Sequence, residues 1–195
     1  MLCDYFKENE VAVEFLSFPE YSTPIGTEIK NYLSLKRNYS AEAMHMLYAA
    51  NRYEFKPMID NWVTQEKFVV MNRYCESNIA YGIAHGLPRV WLEGLESRMP
   101  PSDYVVYLKI NPELSQKRKA SRDRFETNLK FLSQVAEVYE ALASGPRWIT
   151  IDGDRDSSII HYEILKTLSA RLEEGRKIFN GNLTSNKLGT GRSFS

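Results

Sequence analysis

The sequence predicts an α/β fold in which a parallel β-sheet is flanked by helices. Short runs of β-branched and aromatic residues alternate along the chain with longer helical patterns, and this order is typical of parallel sheets with connecting helices. The second and fourth runs are nearly all apolar, as expected of strands buried on both faces. The predicted strands are Val11–Leu16, Phe68–Met71, Val105–Ile110 and Trp148–Ile151.

Helical periodicity fills the intervals between these strands. The helices expected there span residues 24–35, 41–65, 77–97, 112–120, 126–143 and 156–174. Ahead of the first strand, Leu2, Tyr5 and Phe6 lie on one helical face. We therefore expect residues 1–9 to form the end of a helix.

The composition is that of one folded domain followed by a polar tail. The chain has 195 residues, of which 43% are hydrophobic and 26% charged, enough for a core that buries roughly 70% of the unfolded surface. From Gly175 onward, Gly, Ser, Asn and Thr are frequent and show no periodicity, as in segments that cannot bury enough apolar surface to fold. We therefore expect a domain over residues 1–174 and a flexible tail over residues 175–195.

Charge and cysteine content exclude several classes of function. Lys plus Arg equal Asp plus Glu at 25 each, so no overall field favours nucleic acid or an anionic membrane, and an anionic ligand must be held by local arginines. No apolar run reaches the ~20 residues that cross a bilayer, and we find no secretory signal, so a cytoplasmic location is expected. Cys3 and Cys75 are too few for a disulfide framework and wrongly spaced for a metal site. Both are expected to be buried thiols.

The polar residues after each strand are the first candidates for a binding site, because ligands of open α/β sheets bind beyond the carboxyl ends of the strands. These residues are Pro19–Tyr21, Asn72–Tyr74, Asn111–Glu113 and Asp152–Asp154. Arg73 is the strongest candidate, since a guanidinium that emerges from an apolar strand needs a partner and its planar fork fits a phosphate. A structural ion pair is the alternative interpretation of Arg73.

A second arginine shares a helical face with an aromatic residue. Arg52 follows Tyr48 by four residues, so both side chains project from the same side of the predicted helix. An aromatic ring next to a guanidinium suits a flat, polar base. The alternative is a tyrosine at the rim of the core and an arginine paired with Glu54 or Asp60.

The local sequences around these residues resemble one enzyme family. The strings are L-Y-A-A-N-R-Y-E at residues 47–54, N-R-Y at 72–74, F-P-E-Y-S-T-P-I-G at 18–26 and D-R-F-E at 123–126. From Met1 to about Leu172 the chain resembles the thymidylate kinases, which have the P-loop nucleoside-monophosphate kinase fold. The resemblance implies transfer of a phosphate from ATP to dTMP with Mg²⁺, and a homodimer packed through helices beside the second and third strands.

The resemblance also implies roles for the two arginines and their neighbours. In this family the aromatic that matches Tyr48 stacks on thymine, the arginine that matches Arg52 donates to its 4-carbonyl, and the arginine that matches Arg73 holds the substrate phosphate. Asn72 stands where the family has an aspartate that helps to organise Mg²⁺, and asparagine is a poorer partner for a divalent cation. Tyr21 stands where the family has arginine or glycine. The change at Asn72 puts full metal-dependent catalysis in doubt, and Tyr21 removes a cation from the reaction centre relative to the arginine-bearing members.

Further substrate contacts carry over from the resemblance to Pro19, Glu20, Ser77, Asn78 and Tyr81. The matching segment after the second strand lines the base and sugar, and an aromatic ring at Tyr81 crowds the ribose side. Simpler roles remain open for three of these residues. Pro19 can end a strand, Glu20 can cap a helix, and Ser77 can be a helix N-cap.

A basic cluster late in the chain resembles the lid that closes over the phosphates of ATP. Arg118, Arg122 and Arg124 belong to this cluster, and together with Arg73 they are the predicted catalytic cations, because phosphoryl transfer depends on charge neutralisation. Glu126 is expected to orient a lid arginine or to cap the following helix. The alternative is a basic, solvated helix end.

The 195 residues contain no phosphate-binding G-x-x-x-x-G-K-[ST] loop. In the family fold this loop follows a first, central strand, so we expect a gap in the sheet where that strand belongs. Loss of a central strand would leave backbone groups unpaired, which favours an additional upstream segment. Two alternatives stay open: a non-catalytic or weakened nucleotide-binding relative, and a kinase for another nucleoside monophosphate.

Overall fold

A computed structural model describes residues 1–111, 113 and 128–187 of the chain. Four strands and eight helices lie within this part. In chain order they are α1 (Leu2–Glu8), β1 (Val13–Ser17), α2 (Pro24–Leu33), α3 (Ala41–Glu54), α4 (Lys56–Thr64), β2 (Phe68–Asn72), α5 (Cys75–Ala84), α6 (Arg89–Glu96), β3 (Val105–Lys109), α7 (Leu129–Leu142), β4 (Trp148–Asp152) and α8 (Ser157–Lys187). The predicted helix at 112–120 falls outside the described residues.

The four predicted strands are confirmed, and they pair in parallel. β1 pairs with β2, with Val13 opposite Phe68 and Ser17 opposite Asn72. β3 pairs with β4, with Val105 opposite Trp148. Among the described residues these are two separate sheets of two strands each, β1-β2 and β3-β4. The expected gap for a central strand stays a prediction.

Two helices predicted as continuous are each broken in two. The predicted helix at 41–65 ends at Glu54, and a new helix begins at Lys56 with Pro57 in its first turn, where a proline is tolerated because its missing N–H has no helical partner there. The predicted helix at 77–97 is interrupted at Gly86, whose φ is 83°. Pro88 then forms the N-cap of α6.

The start of α5 corrects one prediction about Ser77. The helix begins at Cys75 with Tyr74 as its N-cap, so Ser77 lies inside the first turn and is not the N-cap. Tyr74 and Cys75 are buried with Leu16, Phe18, Ile59 and Met99 in one cluster of the core. This cluster fixes the start of α5 against the end of β1.

A second cluster packs α2 against α3 through Ile29, Tyr32 and Met44. The ends of β1 and β2 and the facing sides of α3 and α5 are thus held by apolar packing. Cys75 is buried, as predicted, whereas Cys3 is partly exposed.

The chain forms two compact units that divide between Asp154 and Arg155. In the second unit, α8 runs to Lys187, so the helix predicted at 156–174 is longer than expected. Residues 188–195 of the predicted tail lie outside the described part. Within that part, none of the helices combines the length and the apolar character needed to span a bilayer.

Candidate functional site

A cavity of about 270 Å³ lies where β1 and β2 end, between α3 and α5. It brings together most of the residues predicted to contact substrate, although they come from four separate segments of the chain. These residues are Pro19, Tyr48, Arg52, Arg73, Ser77, Asn78 and Tyr81. Glu20 does not line the cavity; its carboxylate accepts a hydrogen bond from the main-chain N–H of Ser22.

The loop after β1 is fixed to α3 by one buried side chain. Asn51 is fully buried; its Oδ1 accepts from the main-chain N–H of Glu20 at 2.8 Å, and its Nδ2 donates to the Glu20 carbonyl at 3.1 Å. The same Nδ2 approaches Thr23 and Glu54 at 3.1 and 2.9 Å. Asn51 therefore holds Pro19 and its neighbours at the edge of the cavity.

Arg52 lines the cavity and is paired with Glu96. The two side chains are 3% and 4% exposed. Arg52 Nε donates to Glu96 Oε2 at 3.0 Å, and its Nη2 donates to Oε1. The partner is therefore neither Glu54 nor Asp60, the two carboxylates considered in the alternative interpretation. Glu54 accepts from Asn51 and Thr23 instead.

Asn78 connects this ion pair to two histidines. Its Nδ2 donates to Glu96 Oε1 at 2.7 Å and to the main-chain carbonyl of His45 at 3.2 Å. Its Oδ1 lies 2.7 Å from His45 Nδ1, and His45 Nε2 lies 3.0 Å from His85 Nδ1. Burial lowers the pKa of His45 to about 4 and also lowers the pKa of His85. Both rings are therefore neutral near pH 7.

Arg73 also lines the cavity and lies directly after β2. Its φ is 57°, a left-handed conformation that costs of order 1–3 kcal/mol outside glycine and is concentrated at functional sites. The guanidinium lies over the Tyr81 ring, with Cζ 5.9 Å from the centroid. The strand end thus presents an exposed cation beside an aromatic ring.

Ser77 is linked to α7 across the wall of the cavity. Tyr139 donates its hydroxyl hydrogen bond to Ser77 Oγ at 2.9 Å. Burial raises the pKa of Tyr139 to about 12, so its hydroxyl stays protonated and remains a donor. The ring of Tyr139 also stacks on Tyr107 at 5.0 Å.

Two histidines of the cavity were missed by the sequence analysis, although helical spacing could have found them. His45 precedes Tyr48 by three residues, and His85 follows Tyr81 by four, so each shares a face with a predicted contact. Both line the cavity. Glu96 was also missed, and no local pattern indicates it, because it is distant in sequence from Arg52.

The two residues that depart from the family pattern both line the cavity. Tyr21 is 41% exposed. Asn72 donates from Nδ2 to Ser17 Oγ at 3.1 Å, which directs part of its amide toward the neighbouring strand. Both side chains are neutral, where the resemblance expects an aspartate at Asn72 and an arginine or glycine at Tyr21.

A second, open depression of about 600 Å³ lies at the ends of β3 and β4. Asn111, Asp152 and Asp154 line it, so candidates from the last two predicted groups meet here and not in the first cavity. The main-chain N–H of Asn111 donates to the Asp154 carboxylate at 3.2 Å. These acidic side chains are therefore engaged in shaping the loops at this edge.

None of the four predicted lid residues lies in the part of the chain that the structure describes. Arg118, Arg122, Arg124 and Glu126 lie outside the described residues. Within residues 1–111, 113 and 128–187, no group of three or more His, Cys, Asp or Glu side chains could hold a metal ion.

A family model for thymidylate kinase matches residues 1–164. The chain belongs to the thymidylate kinase family. Thymidylate kinase of Plasmodium falciparum is 31% identical over 170 residues, which cover 87% of this chain and 81% of that protein. The enzyme of Caenorhabditis elegans is 33% identical over 144 residues, covering 72% and 66%. Membership of this kinase family, expected from the strings around Arg52 and Arg73, is confirmed.

A solved structure of thymidylate kinase from Candida albicans shares the fold. Its TM-score is 0.70 at 24% sequence identity, and the match covers 88% of this chain and 84% of that one. The predicted α/β kinase fold with parallel strands is therefore confirmed. The thymidylate kinase family acts on dTMP in general. The residues that line the cavity are therefore candidates for binding dTMP.

Proposed function

We propose that the cavity at the ends of β1 and β2 binds dTMP, and that the family reaction is ATP plus dTMP giving ADP plus dTDP, a step toward dTTP. One observation carries this proposal. Arg52 and Arg73, with Tyr48 and Tyr81 beside them, line a single cavity. A base and a phosphate can therefore be held at its two ends by separate arginines.

The base end supplies one stacking surface and one donor. Stacking on an aromatic ring is worth roughly 1–3 kcal/mol per base, and Tyr48 is the ring in the position to provide it. Arg52 has five N–H groups, of which Nε and Nη2 bind Glu96. Arg52 lines the cavity, so we propose that Nη1, which takes no part in the bonds to Glu96, faces it.

This donor selects the base by its 4-substituent. The 4-carbonyl of thymine accepts a hydrogen bond from Nη1, whereas the 4-amino group of cytosine places donor against donor. Leaving such groups unpaired costs roughly 1–3 kcal/mol. Arg52 should therefore favour dTMP over dCMP.

At the other end, Arg73 is proposed to hold the phosphate and Tyr81 to limit the sugar. The guanidinium fork suits phosphate oxygens, and the left-handed backbone at Arg73 turns the side chain out of the strand. The ring of Tyr81 lies beside it and leaves little room for a ribose 2′-hydroxyl. UMP should therefore bind more weakly than dTMP.

ATP and Mg²⁺ are proposed from family membership alone, as are the homodimer and the cytoplasmic location. The 195 residues contain no G-x-x-x-x-G-K-[ST] loop, and backbone N–H groups with a lysine are the parts of phosphoryl transfer that nothing else here replaces. Asn72 also lacks the charge of the expected aspartate, and Tyr21 lacks the charge of the arginine expected in some members. These observations favour a second candidate, a nucleotide-binding relative with impaired catalysis.

Calorimetric titration of the chain with dTMP, dCMP and UMP tests the proposed pocket. We expect dTMP to bind most tightly, Arg52→Ala to lose most of the preference over dCMP, and Arg73→Ala to weaken all three nucleotides alike. Arg98→Ala, in the exposed turn after α6, is a matched control that should change none of them. Equal affinity of the unmutated chain for dTMP and dCMP would overturn the assignment of Arg52.

A further inference from the structure

Glu96 is a buried carboxylate with no part in the proposed function so far. It is the last residue of α6 and only 6% exposed. A buried carboxylate is costly unless its oxygens are hydrogen-bonded. Both oxygens of Glu96 are used, and their donors come from two residues that line the cavity, Arg52 and Asn78.

The two contacts to Arg52 fix the plane of the guanidinium. Nε donates to one carboxylate oxygen and Nη2 to the other, which is the bidentate geometry that restrains an arginine fork most strongly. With these two positions taken, the fork cannot rotate about its axis without losing a bond. The direction of Nη1 is thereby fixed as well.

Asn78 in turn fixes the carboxylate of Glu96. Its Nδ2 donates one hydrogen bond to Glu96 and one to the His45 carbonyl. The other amide atom, Oδ1, therefore faces His45 Nδ1 and accepts a hydrogen bond from it. His45 Nε2 then accepts from His85 Nδ1. Each donor has one acceptor in this arrangement, and the direction of every bond in the series is determined.

A series of this kind can serve stability alone, since it ties α3 to α5 and α6. That role would require only that the charges be paired and the polar atoms satisfied. The series does more than this, because it ends on a donor in the cavity and determines its direction. Loss of either bond to Glu96 would let the guanidinium turn and move Nη1 away from a bound base.

We propose that Glu96 is a positioning residue that sets base selectivity, by holding the Arg52 fork so that Nη1 faces the 4-carbonyl of a pyrimidine nucleotide, with Asn78 holding Glu96. The inference rests on the proposed binding of dTMP in this cavity. It assigns to Glu96 an effect on which base is bound, with no contact between Glu96 and the nucleotide.

Glu96→Gln tests the inference with almost no change in volume. The new amide NH₂ opposes a donor of Arg52 in either orientation, because Nε donates to one Glu96 oxygen and Nη2 to the other, and in one orientation it also opposes Asn78. We expect the preference for dTMP over dCMP, measured by calorimetry on the full chain, to fall by about tenfold or more, as expected for a lost hydrogen bond to a buried group. Glu93→Gln is the control, since Glu93 lies on the same helix and pairs with exposed Arg89.

The double variant Arg52→Ala/Glu96→Gln separates positioning from general support. If Glu96 acts through Arg52, the preference in the double variant equals that in Arg52→Ala, and a further loss would show another role. Circular dichroism checks folding, and Glu96→Asp, which keeps the charge, replaces the first variant if that one unfolds. An undiminished preference in either folded variant overturns the inference alone. Equal affinities in the unmutated chain would overturn the base assignment of Arg52 as well.

Discussion

His45 lies at the centre of the polar network beneath the cavity, and its protonation state is built into the packing. The ring is 1% exposed, and one nitrogen faces the Asn78 oxygen while the other faces His85. Burial lowers its pKa from 6.5 to about 4. The folded protein therefore holds His45 neutral at pH values where the unfolded chain binds a proton.

This difference predicts a loss of stability in acid. Between pH 6.5 and about 4, the unfolded state binds a proton at His45 that the folded state does not, so the free energy of unfolding falls as the pH falls, by up to about 3 kcal/mol. The lowered pKa of His85 acts in the same direction. Urea unfolding at pH 7 and pH 4.5 measures the change. In His45→Gln the pH dependence should be shallower; an unchanged slope would contradict this account.

At the level of single residues, helical spacing predicted residues that line the cavity, but it did not predict the residue that pairs with Arg52. Tyr48 and Arg52 were expected on one face of a helix, and both line the cavity. Glu96 was not predicted, because its distance of 44 residues from Arg52 is closed only by the packing of α6 against α3. The predicted local partners of Arg52 failed for a physical reason, since Asp60 pairs with Lys56.

At the level of elements, the turn from β1 into α2 depends on a close approach of main chain to main chain. A Cβ added at Gly26 would lie 1.8 Å from the carbonyl oxygen of Glu20. Thr23 caps the same turn, since its Oγ1 accepts from the Gly26 N–H at 2.9 Å. Only glycine allows the first turn of α2 to lie this close to the loop that carries Pro19.

Gly26→Ala should therefore displace the loop. We expect it to lower the free energy of unfolding by about 2 kcal/mol or more, as steric strain at a special backbone position does, and to weaken dTMP binding. Gly94→Ala is the matched control, because nothing lies within 4 Å of its added Cβ and alanine favours a helix by about 1 kcal/mol. Thermal unfolding of both variants checks the prediction. A Gly26→Ala protein as stable as the control would show that the loop is not tightly packed.

Element positions were largely predictable, but helix breaks were not. The strands follow runs of apolar residues and were placed within two residues or so of their observed ends. The helix expected at 41–65 breaks at Phe55, and the one at 77–97 breaks at Gly86. Both segments keep their apolar periodicity across the break. Only Pro57 and Gly86 indicate where each helix ends, and single prolines and glycines predict helix boundaries weakly.

At the level of the whole molecule, the described residues form two parallel pairs of strands. Pairing within each was expected from the strand–helix order, and a gap was expected from the missing loop motif. The number of sheets is set by which strand edges meet, and this depends on packing across the whole chain. The hydrophobic periodicity along a strand does not indicate which other strand its edge will meet.

The missing motif leads to a prediction about activity. We expect the 195-residue chain to show no appreciable dTMP-dependent production of ADP from ATP, because no other part of its sequence replaces a phosphate-binding loop. A coupled assay for ADP measures this. A chain extended by a strand and a G-x-x-x-x-G-K-[ST] loop should gain ATP binding and turnover. Ordinary kinase activity of the 195 residues alone would refute the prediction.

The central claim is that one cavity holds thymine at Arg52 and phosphate at Arg73. A crystal structure of the chain with dTMP tests it most directly. The account predicts the thymine ring stacked on Tyr48, its 4-carbonyl about 3 Å from Arg52 Nη1, and the phosphate on Arg73. A nucleotide bound outside this cavity, or bound in it with base and phosphate exchanged, would contradict the claim.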